Sequence, residues 1–202
     1  MGNIIQVVDK SPPPPLLPIL RSQQQAELLA LLLGDPDLEV SISDLAERTG
    51  VPYASVHREV LRAEATGILG TRRVGRTRLI RANISSPYYD GLADVLTKAF
   101  GVPHLLATAL AGIDGIEQIV IFGSWAARYL GEPGPRPVGD IDVLILGEPD
   151  RDALFEAISP LEARLGRSVQ ITIRSASWIE AGSGSFHDTV TSHPLVDVPL
   201  SA

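Results

Sequence analysis

Apolar positions along this chain switch between helical and strand spacing, and the switches mark out its elements. From Gln23 to Leu33 the segment is helical, with Leu28, Leu29, Leu31, Leu32 and Leu33 apolar. Gly34 and Pro36 end it, because proline can neither donate a backbone hydrogen bond nor continue a helix. "EVSI", 39–42, is read as a short strand. Ser43 is expected to cap the next helix, with Asp44 in its first turn complementing the helix dipole. That helix runs to about Thr49 and stops at Gly50; a second begins near Pro52 or Tyr53 and ends at Gly67. Val56, Val60 and Leu61 form its expected buried face. "ILGTRRVGRTRLIRA", 68–82, predicts a hairpin with Val74-Gly75 at its tip.

Past the hairpin, Leu92, Val95, Leu96 and Phe100 recur at helical spacing after Pro87 and Tyr88-Tyr89. Gly101 breaks this helix, and "GVPHLLATALAGI" predicts another. The pattern then alternates: strand 116–123, short helix 124–131, strand 140–147, helix 150–166 and strand 168–173. The long helix is amphipathic, with Leu154, Ile158, Leu161 and Leu165 on one face. Such alternation is that of an α/β unit. Residues 175–196 are expected to finish it with a helix, a loop and a helix led by Phe186. At the other end, the four consecutive prolines of "SPPPPLLP", 11–18, predict a stiff extended arm. Leu16, Leu17, Ile19 and Leu20 would lay that arm on a neighbouring surface, and a proline-recognition ligand is the other reading. The expected fold class is therefore mixed α+β. An arm at 1–22 leads a helical domain with a hairpin at 23–85. A connecting helix at 86–102 then precedes an α/β domain with a small mixed sheet at 103–202.

Composition narrows the function. A chain of 202 residues suits two domains of roughly 100 residues each. It has no cysteine, which excludes disulfides and thiolate zinc sites and fits a reducing compartment. No apolar run approaches the ~18–20 residues that span a bilayer, and no signal-peptide pattern opens the chain. The expectation is a cytoplasmic protein without a membrane partner. The net charge of −7 is uneven. Residues 1–85 hold ten Lys+Arg against nine Asp+Glu, whereas 86–202 hold seven against fifteen. Seven arginines fall within 57–81, beside only Glu59 and Glu64. Such a cluster on an acidic protein points to a localised anion, nucleic acid first among them; a solvated arginine-rich hairpin is the bland reading.

The order helix, short strand, two helices and basic hairpin, carried by "ISDLAERTGVPYASVHREVLRAEATGIL", 42–69, resembles the winged helix-turn-helix of ArsR/MarR-type regulators. The resemblance implies double-stranded DNA as partner, with the second helix in the major groove. Tyr53, Ser55, His57, Arg58 and Arg62 would then face the bases, while Arg72, Arg73, Arg76 and Arg78 of the wing reach phosphates or the minor groove. A winged helix used for protein contacts is the alternative. The resemblance also implies a homodimer interface on the helix after the wing; packing between the two domains is the other reading. His57 is expected to be an ordinary surface residue, His104 a packed or capping one, and His187 and His193 surface residues.

A second pattern lies in "FGSWAARYLGEPGPRPVGDIDVLILG", 122–147. Gly123 would let a phosphate approach the backbone. Ser124 begins a helix whose free amides favour that phosphate. Asp140 and Asp142, two apart on a strand, share one face and suit a hard cation such as Mg²⁺. Gly123-Ser124, Ala127-Arg128 and Asp140-x-Asp142 resemble the minimal branch of the nucleotidyltransferases in the DNA-polymerase-β superfamily, over roughly residues 103–175. The resemblance implies an NTP ligand, with Arg128 neutralising phosphate charge or pairing with an Asp, and catalysis by Mg²⁺ held on Asp140 and Asp142. It also implies a third carboxylate on the next strand, where this chain has Gln170. An amide ligates metal weakly and cannot serve as a base. Gly139 replaces the serine usual before the Asp-x-Asp, and the "EPGPRP" loop is longer than a minimal linker. The expected function is a DNA-binding transcriptional regulator, antitoxin-like, whose degenerate second domain holds nucleotide and metal or a toxin-like protein partner. The alternative is an active Mg²⁺-dependent nucleotidyltransferase that transfers NMP to a nucleic acid or protein.

Overall fold

The computed structural model describes residues 20–132 and 139–200; the expected proline-rich arm and most of the "EPGPRP" loop lie outside the described residues. Helix α1, Gln23–Leu33, is capped by Ser22, whose hydroxyl accepts from the Gln25 amide at 3.1 Å. Strand β1, Val40–Ser41, runs directly into α2, Ile42–Thr49. The cap of α2 is therefore Ser41, accepting from the Asp44 amide at 3.1 Å, and not Ser43. The reason is Ile42: it is buried together with Leu45, so the chain must already be helical at Ile42 to bring both onto one face.

Helix α3, Tyr53–Ala65, buries Val56, Val60 and Ala63. Leu61 is 41% exposed, contrary to the expected face, because the stripe closes at Ala63, three residues after Val60. Strands β2, Leu69–Val74, and β3, Thr77–Ala82, pair antiparallel from Leu69↔Ala82 to Val74↔Thr77. Strand β1 joins the outer edge of β3, giving the order β1-β3-β2. Helix α4, Tyr89–Phe100, buries Leu96 and Phe100 and leaves Val95 47% exposed, so the expected apolar stripe is narrower than its spacing suggested. It packs inside its own chain against α1, where the Tyr89 hydroxyl donates to the Leu33 carbonyl at 3.0 Å. These elements share one core, from Ala26 to Phe100.

A second core begins after Gly101. Helix α5, Val102–Ala109, is followed by β4, Ile116–Phe122, and α6, Gly123–Tyr129. Strand β5, Asp140–Gly147, α7, Arg151–Leu165, and β6, Ser168–Arg174, come next. Short helices α8, Trp178–Ala181, and α9, Ser185–Thr191, lead to β7, Val196–Val198. The sheet order is β6-β5-β4-β7, parallel between β5 and β6 and antiparallel elsewhere. Alternation along β5 gives the sheet two faces. Ile141, Val143 and Ile145 meet α5, α6 and α7, while Leu144 and Leu146 meet Val190 and the α8 region. The protein is thus mixed α/β with two small sheets. No helix among the described residues is long and apolar enough to cross a membrane.

Three arginines of the second core reach carboxylates of the first. Arg128 pairs with Asp37 at 3.1 Å, Arg164 with Glu27, and Arg167 with Asp35. The last two pairs are mostly buried.

Candidate functional site

Asp140 and Asp142 stand where β5 leaves the loop and enters the sheet, on the face shared with Leu144 and Leu146. Strand register supplies the neighbours of Asp142. Phe122 lies opposite it on β4 and Gln170 beside it on β6. Gln170 is thus the residue of β6 level with Asp142, and its side chain is exposed. Among the described residues, no group of three or more His, Asp or Glu gathers in a way that could hold a metal ion. The carboxylates here are two.

Gly123 is fixed by this arrangement. Its φ of 74° is in the left-handed region, and a Cβ there would collide with the Asp142 carboxylate, whose Cγ would be only 3.3 Å away. The missing side chain lets the carboxylate lie against the start of α6. Ser124 is exposed beside it, and no side chain caps this seven-residue helix. Arg128, expected to neutralise phosphate charge or pair with an Asp, pairs with Asp37 of the first core.

Partial burial, reinforced by the charge of Asp140, pushes the Asp142 carboxyl above its ordinary range. The folded state therefore binds the proton more tightly than the unfolded one, and ionisation of Asp142 costs stability above that range. Asp142→Asn is expected to raise the Tm at pH 7, with the advantage shrinking as pH falls and the wild-type carboxyl takes up its proton. Thermal melts of both proteins between pH 3 and 7 check this; a lower Tm for the variant at pH 7 contradicts it.

The residues expected to read DNA divide into two sets. Arg72 grips Glu39 through its Nε, at 2.7 and 2.9 Å from the two carboxylate oxygens. Arg81 adds a contact to Glu39 at 3.6 Å. Arg78 pairs with Glu64, which also accepts from the Thr71 hydroxyl at 2.6 Å. Arg62 pairs with Glu59 at 2.6 Å, and Arg21 reaches the same carboxylate. The hydrogen bonds from Arg72 to Glu39, and from Thr71 and then Arg78 to Glu64, hold both carboxyls below their usual range. These arginines brace the hairpin and α3.

The other set is Arg58, Arg73 and Arg76, which make no ion pair among the described residues. Arg58 donates to the Ser55 hydroxyl at 3.2 Å, and Arg76 sits in the hairpin turn. Arg73 lies directly across from Arg78, and like charges so placed repel. Glu64 offsets Arg78 only. Tyr53, 53% exposed, stacks on His57 along the outer side of α3. A polar notch of about 330 Å³ between the start of α1 and α3 is lined by Ser22, Gln24, Gln25, Ser55, Arg58 and Arg62.

Of the remaining histidines, His104 is half-buried against Phe100, and burial lowers its pKa. His193 is exposed. His187 is not a surface residue as expected. Its side chain is 14% exposed, set edge-on to Trp178, with Nε2 3.0 Å from the Ile179 carbonyl. It serves as packing for the α8–α9 turn.

A scan of protein-family models finds no match to this chain, and no curated protein matches it.

Proposed function

We propose that the chain is a duplex-DNA-binding transcriptional regulator, a winged helix followed by a nucleotidyltransferase-like domain. The observation that carries the reading is the division of the arginines. Five are held by Glu39, Glu59 and Glu64, whereas Arg58, Arg73 and Arg76 stand along α3 and the hairpin without a matching carboxylate among the described residues. Unmatched guanidinium groups on an otherwise acidic chain call for an anion outside it. A helix with an exposed Tyr53–Arg58 face beside a basic hairpin suits major-groove entry with flanking phosphate contacts.

The second domain, in this reading, holds a nucleotide and one divalent cation without turning it over. Asp140 and Asp142 suit one Mg²⁺, completed by water or phosphate oxygens, and the cation would offset both the burial of the Asp142 carboxylate and its repulsion by Asp140. When bound, the metal would neutralise phosphate charge. Gln170 beside Asp142 can neither add charge nor accept a hydroxyl proton, so the base for transfer is missing at that place. The retained Asp140-x-Asp142 and Gly123 favour the second reading, an active Mg²⁺-dependent nucleotidyltransferase. A toxin-like protein partner for this domain would make the regulator antitoxin-like.

A mobility-shift titration with the DNA upstream of the chain's own coding sequence tests the first part. Retention that weakens steeply between about 50 and 200 mM salt is expected. No retention at the lower salt rules the reading out. Calorimetry with MgATP, run alongside incubation with labelled ATP and cell extract, tests the second part. Heat without label transfer supports a non-catalytic domain; transfer abolished by Asp140→Ala establishes the enzyme instead.

A further inference from the structure

The two cores leave a cavity of about 410 Å³ between them, walled by α1, α4, α5, α6 and the end of α7. That volume falls within the range of small-molecule sites, about 300–1,000 Å³. Its apolar wall includes Leu31, Leu33, Phe100, Leu105, Trp125 and Tyr129. Trp125 and Tyr129 stack at 4.9 Å with planes 20° apart. The Tyr89 hydroxyl is spent on the Leu33 carbonyl, so Tyr89 offers the space its ring rather than a donor. Ile141 borders the cavity from the face of β5 opposite Asp140 and Asp142, which keeps it separate from the carboxylate site.

The charges around it are unequal. Arg128, Arg164 and Arg167 border the cavity, and each is already paired with a carboxylate of the first core. Asp94 is matched by Lys98 at 2.6 Å. Asp90, also on the wall, makes no ion pair among the described residues. An anionic ligand would meet arginines whose charge is already offset by carboxylates. An organic cation meets aromatic side chains and a carboxylate without an ion-pair partner among the described residues, the two kinds of group that recognise such ligands.

We propose that this cavity binds a lipophilic organic cation, its aromatic body between the two cores against Trp125 and Tyr129 and its charge toward Asp90. The proposal is independent of DNA binding and of nucleotide binding. Isothermal titration calorimetry of the full chain in sodium buffer, with tetraphenylphosphonium and tetraphenylborate, tests it, since the two ions share a shape and differ in charge. Saturable one-to-one binding of the cation, about tenfold or more tighter than the anion, is expected. Asp90→Lys, at an exposed position, is expected to weaken cation binding about tenfold, and Leu31→Trp, which fills the cavity, to abolish it. If Leu31→Trp does not fold, Asp90→Lys decides alone. Absence of saturable binding, equal or tighter binding of the borate, or cation binding unmoved in folded Asp90→Lys protein overturns the proposal.

Discussion

Replacing Arg73 and Arg76 together by alanine is expected to lower duplex-DNA affinity by roughly a hundredfold at low salt. Each charged contact to a phosphate is worth about 1.5 kcal/mol, close to a factor of ten, so two lost contacts multiply. The slope of log affinity against log salt should fall by about two, because two fewer counterions are released. Stability should stay within about 0.5 kcal/mol, since neither side chain is held by a carboxylate among the described residues and both are exposed. Losing Arg73 also removes its repulsion with Arg78 across the strand pair. Arg72→Ala makes the contrasting control. Its guanidinium is committed to Glu39, so its loss should loosen the joint between β2 and the segment before β1, with a smaller fall in DNA affinity than the loss of Arg73 or Arg76 gives. Fluorescence-anisotropy titrations at several salt concentrations, paired with urea melts, separate the two effects. Equal losses of affinity in Arg72→Ala and Arg73→Ala would remove the distinction between bracing and binding arginines.

The elements were legible where one local signal settled them. The α3 stripe of Val56 and Val60 and the β2–β3 hairpin follow from short-range periodicity, and β5 from its continuous apolar run Val143, Leu144, Ile145 and Leu146. The position of Gln170 was expected from the resemblance alone, and the register of β5 and β6 sets it level with Asp142. The misses have physical causes. Ser41 and Ser43 are both good caps, and only the burial of Ile42 chooses between them. Strand β7 is three residues long; its cue was the alternation Val196-Asp197-Val198, but its existence depends on a free edge of β4. Which arginines are spent internally was not legible at all. Glu39 and Arg72 are 33 residues apart, and Asp35 and Arg167 are 132 apart, so no local pattern encodes either pair. That the Asp beside Arg128 would be Asp37 was not legible for the same reason, since Asp37 belongs to the other core.

The second large effect concerns that long-range set. Arg167→Ala is expected to destabilise the protein by about 2–4 kcal/mol, because it strands the mostly buried Asp35 carboxylate without its cation. The side chains of Arg167 and Asp35 are 19% and 15% exposed, whereas those of Lys98 and Asp94 are 62% and 59% exposed. Lys98→Ala should therefore cost no more than about 0.5 kcal/mol. If the penalty arises from an orphaned charge, the double variant Arg167→Ala with Asp35→Asn should recover part of the loss, since an amide tolerates the site better than an unpaired carboxylate. Because the pair joins the two cores, its loss should also weaken their cooperation. Urea unfolding followed by tryptophan fluorescence reports the second core, where Trp125 and Trp178 lie, and far-ultraviolet circular dichroism reports the whole chain. In the wild type the two curves should coincide; in Arg167→Ala they should separate. A double variant as unstable as or less stable than Arg167→Ala would show that the arginine acts through packing rather than through its charge. Coincident curves in Arg167→Ala would mean that the remaining contacts between the cores, those of α2 with α7 among them, suffice to couple them.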